Sequence, residues 1–128
     1  MKRVSGHVTW EVRFAQRFLE GVRSGAKRQT VRRCWHVEAG DALRLAGPGG
    51  ETLWEVGVVE VRDLWIVARD NGGCLGVVAR SRGEALDAKA VDAIAVADGF
   101  SGGQEMIRWM IDNDQFLHGV FDGQVIRW

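Results

Sequence analysis

Lys27-Arg28-Gln29-Thr30-Val31-Arg32 supplies an amine, a hydroxyl and two guanidinium groups within six residues. Such a cluster can grip a phosphate or the edge of a planar base. The competing reading of the same residues is a surface loop and strand whose basic side chains serve solubility. Strand parity puts residues 27 and 30 on opposite faces of a sheet. They converge only if Lys27 lies in the loop ahead of the strand, which a turn at Gly25-Ala26 allows. Trp35, beside His36 and just after the basic strand, is placed to act as a stacking platform. Trp10, Trp54, Trp65, Trp109 and Trp128 read as core or rim packing.

The elements that must position this cluster follow from periodicity. Val8-Thr9-Trp10-Glu11-Val12 alternates as a strand does. Phe14, Phe18 and Val22 recur every four residues, which predicts a helix from Phe14 to Ser24 with Gly25 as its cap. A basic strand follows, then a Glu38–Asp41 turn, a strand at Ala42–Leu45 and the Gly47-Pro48-Gly49-Gly50 turn. Thr52 to Val61 reads as one strand. Leu64–Ala68 and Cys74–Ala79 read as two more, joined by Asp70-Asn71-Gly72-Gly73. Leu86–Ala97 is spaced as a helix. Ser101-Gly102-Gly103-Gln104 has capping-box spacing ahead of a helix containing Met106, Ile107, Trp109, Met110 and Ile111. Gly119–Trp128 closes as a strand. This order predicts an α+β fold in which one antiparallel sheet curls into a barrel flanked by short helices.

Composition bounds the function. A chain of 128 residues is expected to form one domain over 1–128 and to bury a core without staples. Zero net charge at neutral pH argues against coating nucleic acid by bulk electrostatics and favours a ligand of nucleoside size. The distribution is polarised, however. Arg13–Arg33 holds seven basic residues against Glu20, and Glu84–Asp122 holds eight acidic residues against Lys89 and Arg108. Those two faces could equally pair with each other. Cys34 and Cys74 have neither metal-ligand nor disulfide-framework spacing, and both read as reduced, partly buried thiols. No metal, cofactor or membrane span is expected, and the cytoplasm is the expected compartment.

The pattern Phe18-x-x-x-Val22-x-x-Gly25-x-Lys27-x-x-Thr30-Val31-Arg32 resembles the N-terminal signature of ASCH domains, within the PUA-like group. Gly40-Asp41-Ala42-Leu43, Ala97-Asp98-Gly99-Phe100 and Val125-Ile126-Arg127-Trp128 resemble later segments of that family, in the same order. The resemblance implies a PUA-like mixed or antiparallel β-barrel flanked by short helices, with a cleft for RNA or a modified nucleoside. Some small bacterial members are amidohydrolases that deacetylate N4-acetylcytidine with a Lys, a Thr three residues later and a Glu. Lys27 and Thr30 match the first two positions, and Asp98 stands, one methylene shorter, at the third. By that resemblance Lys27, Thr30 and Asp98 are the catalytic residues, and Arg28, Arg32, Trp35 and Phe100 line the substrate site. Thr30 would attack the amide carbonyl, and Lys27 would be the base. That role requires an amine that titrates below its usual value of about 10.4. Burial and the neighbouring arginines push it that way, while a close carboxylate pushes back. A non-catalytic RNA-binding module and a ribonuclease acting on single-stranded RNA are the alternatives.

Overall fold

The structure, a computed structural model, describes residues 3–4, 7–33 and 36–128, the first two by backbone alone. Its first half runs β1 (Arg3–Val4), β2 (His7–Arg13), a 3-10 turn (Gln16–Phe18), α1 (Leu19–Ser24), β3 (Gln29–Arg33), β4 (Ala42–Ala46) and β5 (Thr52–Gly57). The second half runs β6 (Glu60–Asp70), β7 (Leu75–Ser81), β8 (Glu84–Leu86), α2 (Ala88–Ala97), α3 (Gly103–Asp112) and β9 (Val120–Arg127). The fold is α+β, as the pattern predicts. Trp35 and Cys34 lie outside the described residues, so the stacking role expected of Trp35 falls there too.

The described strands form two sheets rather than the single curled sheet expected, and no closed barrel is found among them. One sheet has the order β1-β2-β4-β5 and the other β3-β9-β6-β7-β8. The cause is local. Where one strand is expected over Thr52–Val61, the backbone breaks at Val58 and Val59. Val58 N–H donates to Asp41 O (2.8 Å), and Val59 N–H donates to Arg127 O (2.9 Å). These two residues step the chain from the first sheet to the second. β2 and β4 pair in parallel, with Trp10 opposite Leu43 and Val12 opposite Leu45. The connection between them carries α1 and β3, and β3 pairs not with β2 or β4 but with β9.

Helix α1 starts later than the Phe14 periodicity predicts. Phe14 N–H donates to Ala46 O (2.9 Å) and so continues the β2–β4 pairing, and Ala15 is extended (φ −63°, ψ 156°). Phe14 and Phe18 are both buried, but from different elements. Leu86 belongs to β8, and Asp87 caps α2 by accepting from Ala90 N–H (2.8 Å). The capping box expected at Ser101 is absent. Asp92 of α2 instead accepts from Gly103 N–H at 2.7 Å, and Glu105 accepts from Ser101 N–H at 2.9 Å. A carboxylate from a neighbouring helix thus does the work assigned to a local hydroxyl. Cys74, expected to be partly buried, is exposed where the Asp70–Gly73 turn closes.

The core is one cluster in which Val91 and Ile94 of α2 and Met106, Ile107 and Met110 of α3 join Leu64, Ile66, Phe121 and Val125. Each such side chain contributes on the order of 1.5–3 kcal/mol when fully buried. Gly123 on β9 lies against β3, and a Cβ there would collide with the Arg32 carbonyl. β3 therefore sits flush on β9, with Thr30 opposite Ile126 and Arg32 opposite Gln124. Among the described residues, no helix is long and apolar enough to cross a membrane.

Candidate functional site

Gly25 ends α1 in the left-handed conformation (φ 81°), which a residue with a side chain resists. The chain then folds back, and Lys27 N–H donates to Gly21 O at 2.9 Å. This return points the Lys27 side chain inward, where it is only 5% exposed. Its Nζ donates to the carbonyl of Asp98 (2.5 Å) and lies 3.4 Å from that residue's Oδ1. Asp98 is the residue that closes α2, so the ammonium meets the negative end of a helix as well as a carboxylate. The rings of Phe18 (4.8 Å) and Phe14 (5.7 Å) form the rest of its wall.

Gln29 braces the pair. Its Nε2 donates to Ile94 O (3.0 Å) and Asp98 Oδ1 (3.3 Å). Thr30 and Arg32 leave β3 on the other face, and Arg32 Nε donates to Thr30 Oγ1 at 2.8 Å. Arg32 Nη2 donates to Arg13 O (2.9 Å), and its guanidinium stands 5.1 Å from the centre of the Phe14 ring. The structure therefore brings Lys27 to Asp98 and Thr30 to Arg32. Phe14 is the ring both cations share. Lys27 does lie in the loop ahead of β3, but the two polar contacts its amine makes there are to Asp98, and the contact of Thr30 is to Arg32.

Burial dominates the electrostatics. It pushes the Lys27 amine below its usual value; Arg32 and Arg17 add to that, and Asp98 opposes it. Burial likewise raises the Asp98 carboxyl, against the pull of Lys27, Gln29 and Arg32. Burial also lowers Arg32. The neutral forms of the pair are thus favoured relative to water, so a larger share of this amine is unprotonated at a given pH than of a solvated lysine.

The remaining expected site residues lie elsewhere. Arg28 is exposed and lines a separate cleft with Gln29. Phe100 is buried among Phe18 (5.5 Å) and Trp109 (5.7 Å), with the Arg17 guanidinium 4.6 Å from its ring centre. Its ring is occupied by protein rather than open to a ligand. Gln29 and Phe14 were not singled out in the sequence. Gln29 could have been, because it shares strand parity with the apolar Val31 and so had to face the interior. Among the described residues, no group of three His, Cys, Asp or Glu side chains could hold a metal ion. Comparison with known protein families, with curated proteins and with solved structures finds no match.

Proposed function

We propose that this chain is a small ASCH-type, PUA-like amidohydrolase that removes an acyl group from the exocyclic amine of an N4-acylated cytidine. The observation that carries this reading is the buried Lys27 amine, depressed by burial, beside Asp98 and one shared ring from the Thr30–Arg32 pair. Arg32 Nε donates to Thr30 Oγ1, and a cationic donor there favours the alkoxide over the hydroxyl. Thr30 Oγ attacks the amide carbonyl while Lys27 takes its proton. The C–N bond then breaks as Lys27 returns that proton to the leaving amine. Water attacks the acyl-threonine ester, releasing the carboxylic acid and regenerating Thr30. Asp98 and the α2 carbonyl hold the amine in place between these transfers.

The test is release of cytidine from N4-acetylcytidine by the purified chain. Lys27→Met is expected to lower kcat by about 10²–10⁴-fold, and Thr30→Ala by at least about as much. The wild-type rate should rise with pH to a plateau, with a limb below the ordinary lysine range. Equal rates for wild type and Thr30→Ala would remove Thr30 from the mechanism and overturn the reading.

A further inference from the structure

The five-stranded sheet and α2 border a cleft of about 350 Å³ that Gln29 lines and Lys27 does not. Its polar lining is Arg28, Gln29, Arg62 and Arg127, and its apolar wall is Ala93, Ile94 and Ala97 of α2. Strand register explains the convergence. Arg127 of β9 stands between Gln29 of β3 and Glu60 of β6, and Arg62 is two residues further along β6. Residues so paired share one face of the sheet. Arg62 and Arg127 therefore share this face with one carboxylate, and Arg28, just ahead of β3, lines the same cleft. That carboxylate, Glu60, reaches only Arg127, at 3.7 Å, and both side chains are largely exposed. Asp98, next along α2 from Ala97, is committed to Lys27 and Gln29.

Neither Arg28 nor Arg62 has a carboxylate partner among the described residues. The Arg62 Nε is moreover buried and without a hydrogen-bond partner among them. A buried unpaired donor costs roughly 1–3 kcal/mol and calls for an acceptor. Three like charges lining one cleft, with only the solvated Glu60 to oppose them, call for an anion. The planar fork of arginine matches the oxygens of a phosphoryl group, and the volume suits a nucleotide-sized ligand.

We infer that this cleft binds the phosphoryl group of a nucleotide, with Arg28, Arg62 and Arg127 as the recognising groups and the α2 alanines as its apolar wall. The phosphoryl could belong to a mononucleotide or to a phosphodiester in RNA, which the test separates. This inference is independent of the hydrolase reading, since none of its arginines belongs to the Lys27–Asp98 or Thr30–Arg32 pairs.

The experiment titrates wild-type chain with cytidine, cytidine 5′-monophosphate, inorganic phosphate and a short single-stranded RNA, by calorimetry at two salt concentrations. The monophosphate should bind at least about tenfold more tightly than cytidine, and its affinity should fall with salt. Arg62→Gln and Arg127→Gln should each weaken it by about tenfold or more, while Arg62→Lys should recover only part of the loss. Arg69→Gln, exposed at the other end of β6, should change nothing. Thermal unfolding of each variant checks its fold, and the exposed Arg127 keeps the test valid if Arg62→Gln misfolds. RNA binding more tightly than the monophosphate, with the same variant losses, assigns the phosphodiester as the ligand. Equal affinity for cytidine and its monophosphate, or affinity indifferent to both Arg62 and Arg127, overturns the inference. Thr30→Ala should leave phosphate binding intact, so a failure of the hydrolase reading would be visible separately.

Discussion

Asp41 and Asp98 are both buried aspartates that tie together segments far apart in the chain, yet their surroundings push the two carboxyls in opposite directions. Asp41 accepts from Val8 N–H (3.2 Å), Trp10 Nε1 (2.9 Å) and Glu38 N–H (2.9 Å), and its Oδ1 stands 3.2 Å from His7 Nδ1. Burial raises its carboxyl, but the donors from Trp10, Glu38, Val8 and His7 more than offset that, and it ends below the usual range. Asp98 receives less. A lysine and one amide do not make up for the water it has lost, and it ends above that range. A carboxylate ringed by fixed donors keeps its charge on burial; one that meets an amine itself depressed by burial is held above its usual range.

Removing one member of the buried pair should produce the largest effect. Asp98→Leu strands an ammonium in the interior and should destabilise the fold by about 3–5 kcal/mol. Adding Lys27→Met should return stability to within about 1 kcal/mol of wild type, because a well-packed apolar pair replaces a poorly solvated ionic one. Urea unfolding of the single and double variants checks both, and a neutral Asp98→Leu would break the contrast. Asp41→Ala should cost about 2–3 kcal/mol in the same assay. No single partner replacement should rescue it, since two of its donors are backbone amides.

The two aspartates should also leave opposite marks on stability against pH. Asp41, with a lowered carboxyl, stabilises the fold above the unfolded value of about 3.9, and that contribution is lost as pH falls through its folded value. Asp98, with a raised carboxyl, holds its proton more tightly folded than unfolded, so its contribution weakens as pH rises from about 3.9 through its folded value. Asp41→Asn should therefore flatten the acid limb, whereas the Lys27→Met/Asp98→Leu double variant should steepen it. Denaturation midpoints between about pH 3 and 6 measure both slopes. The smallest effect belongs to the solvated counterpart. Arg17 and Glu105 lie 3.4 Å apart but are 39% and 45% exposed, and a double-mutant cycle should give them below about 0.5 kcal/mol.

Much of this was legible in the sequence, and the reasons it was, or was not, are physical. The Gly25 cap and the loop position of Lys27 are set by chain geometry within a few residues, so the Lys27 turn could be read directly. The strand and helix order could be read too, because period-2 and period-3.6 burial are local patterns. The assignment of strands to sheets was not. Val56, Val58 and Val59 read as a continuous strand, and nothing in their side chains signals that two amides turn to Asp41 and Arg127. The cap of α3 came from Asp92, on another helix, and so escaped a rule that looks three residues along. Gly40-Asp41 read as turn punctuation because its four donors come from residues 7, 8, 10 and 38. Lys27 and Asp98 were placed together only through the family resemblance, and their separation in sequence hides the contact from any local pattern.

The connection between the parallel strands β2 and β4 holds α1, Lys27 and β3, and its strand is pledged to the opposite sheet. The loop cannot be ordered by either sheet alone. The amine and the hydroxyl therefore depend on both sheets at once for their places. Loosening either sheet would dissolve the cluster in the same cooperative event, and the cluster and the fold should melt as one.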